Sequence, residues 1–258
     1  MKKFTKLTAF ALALVMALGL LAGCGSSNSD TNTSGDDAAK TKLVVATSPD
    51  FPPFESLEGG EVVGIEVDIL NKVAEKMGME LDIQQMDFDS VIPGVQAGKF
   101  DVGMSGITVT DKRKENVDFS SVYFMAAQAI VVTADSGITG KADLEGKKVS
   151  VQTGTTAEEY CMGNGYEVLA FTANNDAAAA LTSGKVDAWV VDNVVALAMA
   201  PELGLTVLDE AMTSEPYAFA FQKGSELVAP FNEALDALLA DGTIEQIFQQ
   251  YGVTYIAP

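Results

Sequence analysis

Arg113 is the only arginine in a chain that carries fifteen lysines. A guanidinium presents a planar fork of N–H donors that meets a carboxylate through two parallel hydrogen bonds, and an ammonium cannot reproduce that geometry. Arg113 closes the stretch Ser105-Gly106-Ile107-Thr108-Val109-Thr110-Asp111-Lys112-Arg113, which offers hydroxyls and a flexible backbone at Gly106 after an apolar run. A solvated Asp-Lys-Arg-Lys turn is the plainer alternative. Further on, Thr153-Gly154-Thr155-Thr156 lies between an expected strand and an expected helix start, where backbone N–H groups point at an anion. Simple threonine capping is its alternative, and it lacks the lysine and spacing of a nucleotide-binding loop. Asp192 ends the apolar run Trp189-Val190-Val191. A carboxylate there faces an ammonium, caps the helix that follows, or does both.

Composition removes whole classes of chemistry. The chain has no histidine, which excludes serine or cysteine catalysis through a histidine base and histidine-ligated metal sites. Its two cysteines, Cys24 and Cys161, cannot form a thiolate zinc site unaided. Acidic pairs such as Asp36-Asp37 and Glu158-Glu159 lack calcium-loop spacing, so neither a metal nor a cofactor is expected. With 36 acidic residues against 16 basic ones, a formal charge of −20, nucleic acid is not an expected partner. A length of 258 residues with 48% apolar side chains supports one large or two medium domains with a real core.

Residues 1–23 read as a signal peptide: Lys2, Lys3 and Lys6 precede an apolar run too short for a membrane span. The run ends in Leu21-Ala22-Gly23-Cys24, which resembles a bacterial lipobox and implies that Cys24 is lipidated and becomes the mature N-terminus. A secreted protein with a chance cysteine, or a signal anchor, is the alternative. Cleavage removes three lysines and no acid, which takes the formal charge from −20 to −23. Such a body is repelled by anionic lipid, so the lipid must anchor it. Residues 24–40 read as the lipidated cysteine and a flexible tether. The expected location is the outer face of the bacterial cytoplasmic membrane. Cys161 is then the only free thiol, expected to be buried and inert.

The body must position the candidate residues. Apolar runs predict strands over 43–47, 79–83, 100–106, 148–152, 166–171, 186–191 and 205–208, with extended stretches over 122–133 and 217–222. Helical spacing predicts helices over 65–77, 156–162, 176–182, 193–200, 226–240 and 243–251, and one over 89–97 interrupted by Pro93. Alternation of the two predicts βαβ units and mainly parallel sheets. Ala97-Gly98-Lys99-Phe100-Asp101-Val102 is echoed by Ser183-Gly184-Lys185-Val186-Asp187-Ala188, each between a helix and a strand. Five residues beyond each aspartate stand Gly106 and Asp192. Two matched α/β lobes follow, with polar residues at the carboxyl ends of their strands, where ligands of open sheets bind.

In order along the chain, Phe51-Pro52-Pro53-Phe54-Glu55, Gly64-Ile65-Glu66-Val67-Asp68-Ile69, Phe88-Asp89-Ser90-Val91-Ile92-Pro93-Gly94, residues 105–113, Gly154-Thr155-Thr156 and residues 186–192 resemble the bacterial extracellular solute-binding proteins of the polar amino-acid family (family 3). The resemblance runs from about Lys42 to the C-terminus. It implies a two-lobed α/β periplasmic-binding-protein fold (type II, Venus flytrap) with two hinge crossings near 127–132 and 216–221. Lobe 1 is then 41–127 with 219–258, and lobe 2 is 128–218. Carried over by position, Arg113 clamps a ligand α-carboxylate with the backbone N–H groups of Thr108 and Thr156. Gly106, Thr108 and Asp192 hold the α-ammonium, Phe51 and Phe88 sandwich the side chain, and Ser105 belongs to the same segment. Phe54 and Phe119 are assigned to core. The implied partners are a free L-amino acid and the membrane permease subunits of an ABC importer, with a monomer as the default state. Ser48 stands where members that bind basic amino acids often carry an acid, and Gln152 could hydrogen-bond a polar side chain, so a neutral or polar ligand is expected. Asp50 and Glu55 keep a basic ligand possible. A periplasmic dehydratase acting on cyclohexadienyl substrates is the enzymatic alternative, with Glu159 its one nameable acid; a sensing lipoprotein is the other.

Overall fold

In the computed structural model, which describes residues 41–258, the apolar spacing of 65–77 becomes the helix Ile65–Met77, burying Ile65, Ile69, Leu70 and Val73. It ends on Gly78 at φ 67°, a left-handed cap that favours glycine. The signal peptide, Cys24 and the tether lie outside the described residues. The helix over 89–97 forms as Phe88–Gln96 and is not interrupted: Pro93 sits inside it. The hydrogen bond that Pro93 cannot donate would go to the carbonyl of Asp89, an exposed residue in the first turn.

Two five-stranded sheets carry the molecule. The first runs Glu80–Gln85, Lys42–Thr47, Val102–Gly103, Ala220–Gln222, Val117–Phe119; the second runs Glu167–Phe171, Lys148–Gln152, Ala188–Asp192, Gln128–Val132, Thr206–Val207. In each, three parallel strands are followed by one that runs against them and a fifth that pairs antiparallel with the fourth, so the pairing is mixed rather than mainly parallel. The reason is the chain's route. Gln128–Val132 and Ala220–Gln222 each enter their sheet directly after a crossing from the other half, and from the opposite direction.

Those crossings meet as a two-stranded antiparallel ribbon, Phe124–Ala126 with Glu215–Tyr217. This corrects the crossings expected at 127–132 and 216–221: Gln128–Val132 is a fully buried strand of the second sheet, and Ala220–Gln222 belongs to the first. Phe54, Phe124, Tyr217 and Phe248 pack ring against ring beside the ribbon, with centroids 4.6 to 6.0 Å apart. Phe54 is wholly buried, and Phe119 is half-buried at the edge of the first sheet. Cys161 is buried, and burial pushes its thiol up to about 12, which leaves it unreactive.

The sequence echo has a structural cause. Asp101 Oδ2 accepts the N–H of Val44 at 2.8 Å, and Asp187 Oδ2 accepts that of Lys148 at 2.8 Å. Each aspartate thus fastens the third strand of its sheet to the start of the second. Unforeseen from the sequence is a three-stranded meander, Asp50–Phe51, Glu55–Glu58 and Glu61–Val63. Its second turn is Gly59-Gly60, both at positive φ, the pair that a tight hairpin turn requires.

Candidate functional site

The carboxyl ends of the two parallel triplets face one another, and the candidate residues sit there. Arg113 rides on the short helix Asp111–Lys114, whose N-cap Thr110 accepts the Arg113 N–H at 3.1 Å. Its Nη1 donates to the Thr108 carbonyl at 2.9 Å and its Nη2 crosses to the Gly154 carbonyl at 3.1 Å. Its Cζ lies 5.7 Å from the centre of the Phe88 ring, a cation–π contact that aims the fork. Burial pulls the guanidinium below its ordinary value, while Glu159, Glu215 and Asp192 oppose that shift. The Asp-Lys-Arg-Lys turn exists, yet its arginine points between the sheets rather than into solvent.

Asp192 ends its strand buried, at 8% exposure. It stands at the cap position of the helix Asn193–Met199 but makes no side-chain capping bond. Asn193 Oδ1 takes the Val194 N–H instead, at 2.9 Å. The Asp192 carboxylate is therefore free of the capping task. Gln128 Nε2 donates to it at 3.0 Å, and the described residues place no ion-pair partner within 4 Å. Burial first, then the neighbouring Glu215, pushes Asp192 up to about 7, against the pull of Tyr217, Gln128 and Arg113. Around it, Gln128 Oε1, Glu215 Oε2 and the Tyr217 hydroxyl are buried without hydrogen-bond partners. Gln128 Oε1 and Glu215 Oε2 are acceptors, whereas the Tyr217 hydroxyl can donate or accept, so the chamber is rich in acceptors.

The Thr153–Thr156 loop divides its labour. Thr155 is a helix cap, accepting the Glu158 N–H at 3.1 Å, and the Gly154 N–H is taken by Glu158 Oε2 at 2.7 Å. Thr156 opens the helix Thr156–Gly163, and its hydroxyl accepts from Gln128 Nε2 at 3.2 Å. Gln128 thereby joins Thr156 to Asp192, a link that no local sequence signal announces.

Gly106 is built for close approach. Its φ is 54°, and a Cβ there would meet Phe51 Cε1 at 2.4 Å. Its N–H donates to Glu66 Oε2 at 2.9 Å. Thr108 is buried and bridged to Tyr217. Phe51 and Phe88 are nearly buried, the first over Gly106 and the second under Arg113. Ser105 sits below the site: its hydroxyl donates to Glu55 Oε1 at 3.0 Å and accepts the Ser48 N–H at 3.2 Å. Glu55 is wholly buried and held well above the carboxylate range by burial and by Glu66. Ser48 donates to Asp50 Oδ1 at 3.0 Å. Gln152 is committed to protein groups, donating to Thr172 O at 3.0 Å and Asp50 Oδ2 at 3.3 Å while accepting from Asn174 at 2.8 Å. Glu159 is half-exposed and ion-paired with Lys112 across the gap between the sheets.

The chain is similar to known proteins over nearly all of the described residues. The profile of the bacterial extracellular solute-binding proteins, family 3, matches residues 43–254. The arginine-binding extracellular protein ArtP of Bacillus subtilis (strain 168) is 36% identical over 239 residues, covering 90% of this chain and 92% of that one. Among solved structures, an ancestral arginine-binding protein bound to glutamine is 40% identical, with a TM-score of 0.78 over 82% of this chain and 98% of the other. An ancestral amino-acid-binding protein described as a precursor of cyclohexadienyl dehydratase is 35% identical, with a TM-score of 0.77 over 82% of this chain and 95% of the other.

Proposed function

The chain belongs to the bacterial extracellular solute-binding proteins of family 3, with their two-lobed type II fold, and we propose that it captures a free L-α-amino acid between the lobes for delivery to an ABC importer. The observation that carries this is Asp192: a buried carboxylate with no ion-pair partner within 4 Å among the described residues, beside the unpartnered acceptors Gln128 Oε1 and Glu215 Oε2. An ammonium supplies both the charge and the donors. Arg113, aimed between the lobes from a stacked position, answers the carboxylate of the same zwitterion. Thr108, Gly106 and Thr156 complete the polar shell, and Phe51 and Phe88 give its apolar walls. Lobe 1 is residues 41–127 with 219–258, and lobe 2 is 128–218. Ligand that touches both lobes only when they meet shifts the population toward closure. The protein acts as a monomeric lipoprotein held by Cys24.

For the side chain, the reading is a neutral or polar amino acid. Ser48 brings no charge, Glu55 is sealed behind Ser105, and Asp50 is engaged by protein donors. The relatives named for arginine favour a second reading, a basic ligand, for which Glu215 Oε2 is the unmatched acid. A dehydratase is disfavoured because Glu159 is half-exposed and paired with Lys112 rather than poised over the cleft.

Calorimetric titration with the common L-amino acids tests the proposal. Saturable binding of glutamine or another neutral amino acid is expected, with Arg113→Lys weakening it by more than about tenfold at unchanged circular dichroism. Binding of arginine and lysine alone would replace the neutral reading by the basic one. Equal affinity of wild type and Arg113→Lys would remove the carboxylate clamp.

A further inference from the structure

The helix Asn174–Thr182 starts without a cap of its own: Ala173 holds the capping position and offers no side-chain acceptor. The acceptor comes from the other lobe. Asp50 Oδ2 accepts the backbone N–H of Asn174 at 2.7 Å and Gln152 Nε2 at 3.3 Å. Its Oδ1 accepts the Ser48 hydroxyl, which sets the rotamer. Asp50 stands just beyond the strand Lys42–Thr47 of the first sheet, whereas Gln152 ends the strand Lys148–Gln152 of the second and Asn174 opens a helix packed on it. Gln152 is itself held in aim by the Thr172 carbonyl and the Asn174 side chain. A carboxylate on the first N–H of a helix satisfies an orphan donor and complements the positive end of the helix dipole.

We propose that Asp50 determines closure of the cleft: it caps the helix Asn174–Thr182 from the opposite lobe, so the closed arrangement is held by a bond of the protein itself as well as by ligand. The inference concerns contact between the lobes and does not depend on which ligand binds. The other contacts across the gap are poorer latches. Lys112 and Glu159 form a pair 75% and 51% exposed, which water screens. The Arg113 bond to the Gly154 carbonyl uses the group assigned to the ligand. Separation of the lobes leaves the helix start uncapped and Asp50 without two of its donors. Apparent affinity for every ligand scales with the closed population, so Asp50 sets affinity without touching ligand. Its lone pairs are committed to protein, which withholds them from a cationic ligand side chain.

The test uses the full chain, freed of ligand, in small-angle scattering, with calorimetric titration of L-glutamine and L-arginine. Asp50→Ala and Asn174→Pro should both enlarge the radius of gyration of the ligand-free protein. Proline at the first helical position keeps the helix and deletes only the N–H and side chain of Asn174. Asn174→Ala, which retains the N–H, should stay near the wild-type radius. Whichever probe binds should lose about tenfold in affinity in Asp50→Ala, by the same factor if both bind. Unchanged radii in Asp50→Ala and Asn174→Pro would overturn the proposal, as would equal effects of Asn174→Ala and Asn174→Pro. A loss confined to arginine would place Asp50 on the ligand and overturn it too. Binding of neither probe counts against the amino-acid reading alone, since the radii still decide the latch.

Discussion

Asp192 illustrates what one residue's surroundings do to its chemistry. An aspartate ordinarily ionises near 3.8, and here burial and Glu215 raise it to about 7. Its folded value lies above its unfolded one, so the folded protein holds the proton more tightly. Stability of the ligand-free protein therefore falls as pH rises from about 4 to about 7, then levels off. Ligand binding runs the other way. An ammonium binds the ionised carboxylate, so affinity should drop by about tenfold per pH unit below 7, with proton release on binding near neutrality. Titration at pH 5, 6, 7 and 8 measures this; an affinity flat across that range in wild type would take Asp192 out of the ammonium site. Arg113 shows the same dependence on surroundings. A lone arginine was legible as a question in the sequence, and its answer lies in Thr108, Phe88 and Gly154, which fix the direction of its fork.

At the scale of elements, the helix Ile65–Met77 depends on a glycine that precedes it. The helix has no side-chain cap; Ile65 and Glu66 donate their N–H groups to the carbonyls of Pro53 and Phe54 instead. That docking brings the Phe54 carbonyl to 2.2 Å from where a Cβ of residue 64 would stand, and Gly64 has φ 139°. The helix end at Gly78, φ 67°, has open space around it. Gly78→Ala should cost about 1 kcal/mol of stability for its left-handed backbone alone. Gly64→Ala should cost at least twice as much, because the meander must move away from the helix start. Urea denaturation of the two variants compares them, and equal costs would show that the docking tolerates displacement. Glu66, whose carboxylate receives the Gly106 N–H, rides on the same helix, so this docking reaches the site.

Across the whole molecule, charge works against compactness. The full chain carries a formal −20, and its surface ion pairs, such as Lys72 with Glu75 and Lys148 with Glu167, are exposed on both partners. Exposed pairs contribute little, while like-charge repulsion grows with net charge. Screening should therefore stabilise the protein: its melting temperature should rise as sodium chloride goes from about 10 mM to about 300 mM, where the screening length shortens severalfold. A falling melting temperature would mean that specific pairs outweigh the general field.

The sequence alone determined what depends on periodicity and residue type. Apolar spacing placed the helix 65–77 and the strand 148–152 at their observed bounds, and a sole arginine, an aspartate at a strand end and a threonine loop marked the candidate site. Local patterns suffice there because each is a property of a few neighbouring side chains. Tertiary structure decided the rest. The one reversed strand of each sheet, Ala220–Gln222 or Gln128–Val132, enters from the other half of the molecule, and two-residue strands such as Val102–Gly103 owe their state to the neighbours they pair with. Gln128, Glu215 and Tyr217 meet Asp192 only because the crossing ribbon brings them there. Gln152 was legible as a polar residue near the cleft, but only folding assigned its amide to Asp50, Thr172 and Asn174. Asp50 and the helix start it caps are 124 residues apart, a separation at which no sequence window holds both partners.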